Sequence, residues 1–178
     1  MLLMAGQASV AAEQQDRQAD VPALTWVLYA VDSSSHLMRV DPFTGKVTRI
    51  GKLNVRLPGI YDGLDFGMDG KLYLSDSWKG CIYSVDPQTA EAAIVRGPSG
   101  LYAFENMTFT PVGVPSPGGG WFEPGTALCS TGGLVCAVDL QSGTVDYIGD
   151  TGEDDDAYAI SPDGLLYAID GNEDDGSG

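Results

Sequence analysis

The sequence predicts an all-β fold, a β-propeller of four-stranded antiparallel blades that is incomplete in this chain. Three observations predict it. A phrase recurs about every 45 residues, the spacing of a propeller blade. The runs inside each phrase alternate apolar and polar side chains, as half-buried strands do. The 178 residues include 24 glycines and 10 prolines, which suits many tight turns, while long helical runs with capping boxes are hard to find.

The first copy begins at Leu28 as LYAVDSSSHLMRVDPFTGKVTRIG, the second at Leu72 as LYLSDSWKGCIYSVDPQTAEAAIV and the third at Leu128 as LCSTGGLVCAVDLQSGTVDYIG. A fourth opens at Leu166 with LYAID. A shared Asp falls at 41, 86 and 139, so the steps are 45 and 53 residues, and the longer step holds the insertion PVGVPSPGGGWFEPG. Each shared Asp opens a turn. Its carboxylate can accept from the backbone ahead, Pro at the next place fixes φ, and the Gly at 45 and 143 tolerates a positive φ. Ala90 takes that Gly's place in the second copy, which predicts strain there or a different closure.

With strands labelled A to D outward from the axis, the blades read as follows. A partial first blade covers 24–51 with B, C and D; a second covers 61–96. The third covers 101–149 with the insertion 111–126 between A and B, and a partial fourth, 156–178, has only A and B. That makes thirteen strands, not a whole number of blades, and the open terminal blades predict self-association. Residues 1–23 read as a signal-like apolar lead, MLLMAGQASVAA, followed by the polar linker Ala12 to Asp20, which points to a secreted, periplasmic or extracellular protein.

Hydrophobic residues at 43% and charged ones at 19% allow a sizeable core. Twenty-five acidic against nine basic residues give a formal charge of −16, which repels nucleic acid and anionic membranes. No run reaches the roughly 18 apolar residues of a membrane span.

Two segments carry a resemblance. Residues 62–73, DGLDFGMDGKLY, and 156–167, DAYAISPDGLLY, resemble the strand A to strand B signature of gluconolactonase and regucalcin-like propellers, and a similar phrase occurs in NHL-type propellers. The resemblance spans roughly residues 24 to 170 and is specific for the blade rather than the activity. It implies that the residue opening strand A faces a central channel, where several such residues hold a divalent cation. The matching positions are Asp62, Glu105 and Asp156, and Ca²⁺ or a similar hard cation suits carboxylates that would otherwise repel one another. The other reading is three acidic residues solvated in loops.

Further candidates come from the residues themselves. Asp170, Asn172 and Asp174 hold the first, third and fifth places of a calcium loop, although Asp175 stands where the sharp turn wants Gly, and a frayed acidic tail is the alternative. His36 is the only His and reads as an exposed loop residue. Trp26, Trp78 and Trp121 read as a sugar platform or as packing between blades. Cys129 and Cys136 flank the turn at 131–134 at equal offsets and so oppose each other on strands B and C. They replace what the alignment on leucines makes an aromatic pair, Tyr73 and Tyr83, and are expected to form a disulfide in an oxidising compartment, or else to be two buried thiols. Cys81 is left over.

The expected function is a secreted binding module for a protein, carbohydrate or small-molecule ligand, with a divalent cation at the channel mouth. The competing expectation is a metal-dependent lactone hydrolase of the kind the resemblance implies; no catalytic residue stands out.

Overall fold

The computed structural model describes residues 3–6, 27–55, 61–97, 103–116, 119–152 and 155–170. Every regular element among them is a β-strand. The first sheet is β1 (Leu3–Gly6), β2 (Leu28–Val31), β3 (His36–Val40) and β4 (Val47–Lys52); the second is β5 (Tyr61–Phe66), β6 (Leu72–Asp76), β7 (Cys81–Val85) and β8 (Ala92–Arg96). In the insertion, β10 (Val114–Pro115) and β11 (Trp121–Phe122) form a short hairpin between β9 (Asn106–Phe109) and β12 (Ala127–Thr131); β9 and β12 continue into β13 (Leu134–Val138) and β14 (Val145–Asp150) as the third sheet. The fourth pairs β15 (Asp155–Ile160) with β16 (Leu166–Asp170). All pairings are antiparallel between neighbours in sequence, apart from the hairpin between β9 and β12.

The first blade holds four strands where the sequence suggested three. Leu3 to Gly6, inside the signal-like lead, pairs with β2 in the register Leu3↔Val31 to Gly6↔Leu28 and supplies strand A. The polar linker lies outside the described residues. The innermost strands stand side by side in chain order, β1 against β5, β5 against β9 and β9 against β15. That adjacency makes the arrangement propeller-like.

The turns between strands C and D close as their residues dictate. Asp41, Asp86 and Asp139 each accept from the amides two and three residues ahead, at 2.7 to 3.3 Å. Gly45, Ala90 and Gly143 then donate back to the Asp carbonyl at 2.8 to 2.9 Å with φ of +68°, +65° and +74°. Ala90 therefore adopts the glycine conformation and bears the strain expected of it.

Two cores form between blades. One packs Val31, Leu37 and Leu53 of the first blade on Leu64, Leu72, Leu74 and Tyr83 of the second. The other packs Tyr73 and Ile82 of the second on Phe104, Met107, Phe109 and Cys129 of the third. The joints repeat in detail. Tyr29 on strand B meets Phe66 at the end of the next strand A, with ring centroids 5.6 Å apart, and Tyr73 meets Phe109 at 5.0 Å. The ends of β4 and β8 also lie on the C–D turn of the blade that follows, as sheet twist favours. Gly51 lies against Ala90, and Arg96 donates to the Gly143 carbonyl at 3.3 Å while its guanidinium covers the Phe104 ring at 4.8 Å.

Candidate functional site

Strand A begins with an extra residue in two of the blades. In the second blade Tyr61 pairs with Asp76 and Gly63 with Ser75, so Asp62 is the bulged residue between them. The fourth blade repeats this register, with Asp155↔Asp170, Ala157↔Ile169 and Asp156 in the bulge. In the third, Asn106 pairs with Ser130, and the Glu105 amide donates to the Ser130 carbonyl at 3.0 Å. Asp62, Glu105 and Asp156 thus take equivalent backbone positions at the leading ends of β5, β9 and β15. These three strands also contact one another pairwise.

Their side chains differ in commitment. Asp62 is buried, and Glu105 is half-buried with Oε2 accepting from the Gly132 amide at 2.6 Å. The side chain of Asp156 lies outside the described residues. Among the described residues no three His, Cys, Asp or Glu side chains form a group that could hold a metal.

The use of Glu105 follows from the neighbouring turn between strands B and C. In the first two blades an Asp at or just after the end of strand B caps that turn: Asp32 accepts from the Ser34 and His36 amides at 2.9 and 2.8 Å, and Asp76 Oδ1 from the Trp78 amide at 2.8 Å. The third blade has Thr131 at that register, and Glu105 reaches across from strand A to supply the missing carboxylate. By the same register Asp170 stands at the turn-capping place; its side chain, with Asn172 and Asp174, lies outside the described residues. Asp76 is fully buried, and its Oδ2, like Ser75 Oγ, has no hydrogen-bond partner among the described residues. A buried oxygen without a donor is costly until a proton, water or cation satisfies it.

Close approach of β5 and β9 builds the floor of this region. A Cβ on Gly63 would lie 2.5 Å from the Met107 amide nitrogen and from Ser75 Oγ, so only glycine fits. Asp65, two residues on, ties the blades together. Its Oδ2 accepts from the Thr108 hydroxyl at 2.9 Å and the Phe109 amide at 3.1 Å, and its Oδ1 from the Phe66 amide at 2.7 Å. Burial pushes its carboxyl above the usual range despite these three bonds. In the sequence, Asp65 is one more residue of the signature; only the pairing of strands across blades reveals its role.

Several expectations are corrected. His36 is not a loop residue: it opens β3, is half-buried, and its Nδ1 lies 3.2 Å from both Asp32 carboxylate oxygens. Burial raises Asp32, but the His36 and Ser34 amides and the His36 ring outweigh it and hold the carboxyl below the usual range. Trp78 and Trp121 are 72% and 68% exposed, so neither packs between blades. They sit at opposite ends of the strands, one on a B–C turn and one in the A–B insertion, and cannot share a platform; Trp26 lies outside the described residues.

Cys129 and Cys136 are direct partners across β12 and β13, and both are buried free thiols, as is Cys81. Burial raises both thiols of the pair, and proximity to Cys136 raises Cys129 further. Their counterparts in the second blade are Leu74 and Tyr83, which face each other there, rather than Tyr73 and Tyr83. The third blade's B–C turn is two residues shorter, so Ala127, and not Leu128, pairs with the residue before the shared Asp, as Leu72 does.

No protein-family model matches this chain, and no curated protein matches it significantly. Solved structures do. A structural genomics protein of unknown function from Bacteroides thetaiotaomicron VPI-5482 superposes with a TM-score of 0.57 at 17% identity, over 81% of this chain and 42% of that one. Hydrazine synthase of Kuenenia stuttgartiensis superposes at 0.50 with 22% identity, over 81% and 38%. The extracellular domain of the putative hybrid two component system BT4673 from B. thetaiotaomicron scores 0.45 at 14% identity, over 80% and 18%. The chain thus spans about two fifths or less of the length of these structures, and the likeness is one of fold. Among the described residues no helix is long and apolar enough to cross a membrane.

Proposed function

We propose that the protein is an extracellular propeller-type binding module, related to the gluconolactonase-like propellers, that carries a hard divalent cation at the leading ends of its A strands. The equivalent placement of Asp62, Glu105 and Asp156 on three mutually adjacent strands supports this reading most. The donor set is all oxygen, as Ca²⁺ prefers. Glu105 keeps one oxygen beyond its bond to Gly132, and the unpartnered Asp76 Oδ2 lies on the strand paired beside Asp62. A bound cation would offset the repulsion among these carboxylates and hold the ligand side of the module in one shape.

The test is thermal unfolding of the full chain in excess Ca²⁺ and in chelator. A ligand at 100 times its Kd stabilises by about 2.7 kcal/mol, so Tm should rise with Ca²⁺, and Asp62→Asn or Asp156→Asn should abolish the rise. Superimposable melts would remove the cation. The strand A signature also favours a metal-dependent lactone hydrolase; Ca²⁺-dependent lactone turnover lost in Asp156→Ala would establish that reading over the binding module.

A further inference from the structure

An A–B turn needs no insertion. The second blade closes it from Gly67 to Gly70 and the fourth from Ser161 to Gly164, each with the last amide donating to the first carbonyl at 2.9 Å. The third blade instead carries residues 111–126, and their root is pinned. The Glu123 carbonyl accepts from the Thr110 hydroxyl at 3.0 Å and from the Thr126 hydroxyl and amide at 2.7 and 3.1 Å, while the Gly125 amide donates to the Thr110 carbonyl at 2.7 Å. The hairpin above this root has two unlike sides. Val112 and Val114 reach the fourth blade, with methyls 2.8 and 3.7 Å from where a Cβ on Gly164 would stand. By alternation Gly113, Pro115, Trp121 and Glu123 take the outward side. Trp121 Cε3 lies 3.7 Å from where a Cβ on Gly113 would stand, so the indole leans across a residue without a side chain and keeps its other face open. Glu123 is exposed beside it and has no ion pair among the described residues. The main chain is open there as well. Ser116 donates to the Gly120 carbonyl at 2.8 Å, so in the next facing pair, Pro115 and Trp121, the main-chain groups turn away from each other. Pro115 has no N–H to offer on its edge. Trp121 offers both N–H and C=O, and among the described residues no strand pairs with that edge of β11.

We propose that β11 and the turn behind it bind an extended segment of a partner protein that presents an arginine side chain. The segment pairs with the Trp121 main chain as an added edge strand. Its arginine then falls on the outward side, where the guanidinium stacks on the indole and its N–H groups donate to the Glu123 carboxylate. Arginine fits this place better than lysine, because its planar head can lie on a ring and meet a carboxylate at the same time. The chain itself uses that geometry inside a blade joint: Arg96 covers the Phe104 ring at 4.8 Å while donating to the Gly143 and Gly80 carbonyls. A formal charge of −16 draws a basic segment and repels a second copy of this chain. This docking point stands at the end of the strands opposite Asp62 and Glu105 and does not depend on a cation.

Random short peptides displayed on phage and selected on the full protein serve as the probe. The enriched sequences should carry an arginine. Their synthetic versions should bind Trp121→Ala and Glu123→Gln each about tenfold more weakly than the parent, and chelator should leave the binding unchanged. Both substituted side chains are exposed, and the root is held by the main chain of Glu123, so the variants should keep the parent's Tm. Selection that does not enrich arginine, or enriched peptides that bind both variants as tightly as the parent, overturns the proposal. Binding abolished by chelator overturns it too, since the peptide would then sit at the cation end. Two further results exclude it: glycan-array binding lost in Trp121→Ala, which makes the indole a sugar platform, and a dimer by sedimentation that Trp121→Ala abolishes.

Discussion

Gly51→Ala and Ala90→Gly, made singly and together, test how one blade fits the next. A Cβ on Gly51 would lie 2.9 Å from the Thr89 carbonyl oxygen and 3.1 Å from the Ala90 methyl. Overpacking of that kind costs about 1–3 kcal/mol, and the contact with backbone sets the value near 2 kcal/mol by the same scale. Ala90→Gly acts in two directions. It releases about 1–2 kcal/mol of left-handed strain at φ +65°. It also loses a buried methyl, about 0.8 kcal/mol, and adds about 0.5–1 kcal/mol of chain entropy. The net change should lie within about 1 kcal/mol of zero. In the double variant the 3.1 Å contact is gone while the Thr89 contact remains, so the two changes should couple favourably by about 1 kcal/mol. Urea unfolding of the four proteins measures it. Additivity within about 0.3 kcal/mol, or a Gly51→Ala variant as stable as the parent, would refute the idea that the glycine at 51 makes room for the alanine at 90.

Three more outcomes are expected. Gly63→Ala should destabilise by about 3 kcal/mol, the upper end of overpacking, because its Cβ meets the Met107 backbone at 2.5 Å; a urea midpoint unchanged from the parent would mean that β5 and β9 stand farther apart. Asp139, whose carboxyl the Ser142 hydroxyl and the Gln141 amide hold below 3.8, contributes stability above that value which is lost as pH falls through its lowered folded-state pKa. Asp139→Asn keeps an acceptor but cannot titrate, so its Tm should fall less steeply through the acid range, in circular dichroism melts, than that of the parent. Cys129 and Cys136, free thiols that face each other across β12 and β13, should both be alkylated when the unreduced protein is unfolded; recovery of one linked peptide by mass spectrometry would show instead that the facing pair oxidises.

The strands were legible because a blade advertises itself locally. Alternation places Cys81–Val85, and the shared Asp86 opens the next turn. Strand A of the first blade was not legible, since Leu3–Gly6 resembles a targeting segment and its partner, β2, lies more than twenty residues away. The register of the third blade was misjudged for a different reason. Leucines align by type, whereas a B–C turn shortened by two residues moves the pairing by one. At the candidate site Asp62, Glu105 and Asp156 were matched through the strand A to strand B phrase that carries the resemblance. What could not be read was that Glu105 is drawn to Gly132 by a missing capping Asp, or that Asp65 bridges two blades. Both depend on which side chain lies beside which across separate sheets.

The two ends of the strands are built for different work. At the end carrying the A–B turns, the insertion reaches both ways: Val112 lies close against Gly164 of the fourth blade, and Gly125 against Met68 of the second. That end is tied across three blades by apolar contacts, and its C–D turns are uniform Asp caps. The opposite end has no such strap among the described residues. There a bulge in β5 and β15 and the leading end of β9 set Asp62, Asp156 and Glu105 in matching places, and the B–C turns vary from blade to blade in length and in what caps them. Repeated joints at one end and turns of variable length and capping at the other are what a scaffold with one fixed and one adaptable end requires. If the protein is the binding module proposed above, its ligand would meet the end where Asp62, Glu105 and Asp156 open the A strands, and the insertion that carries Trp121 would belong to the frame.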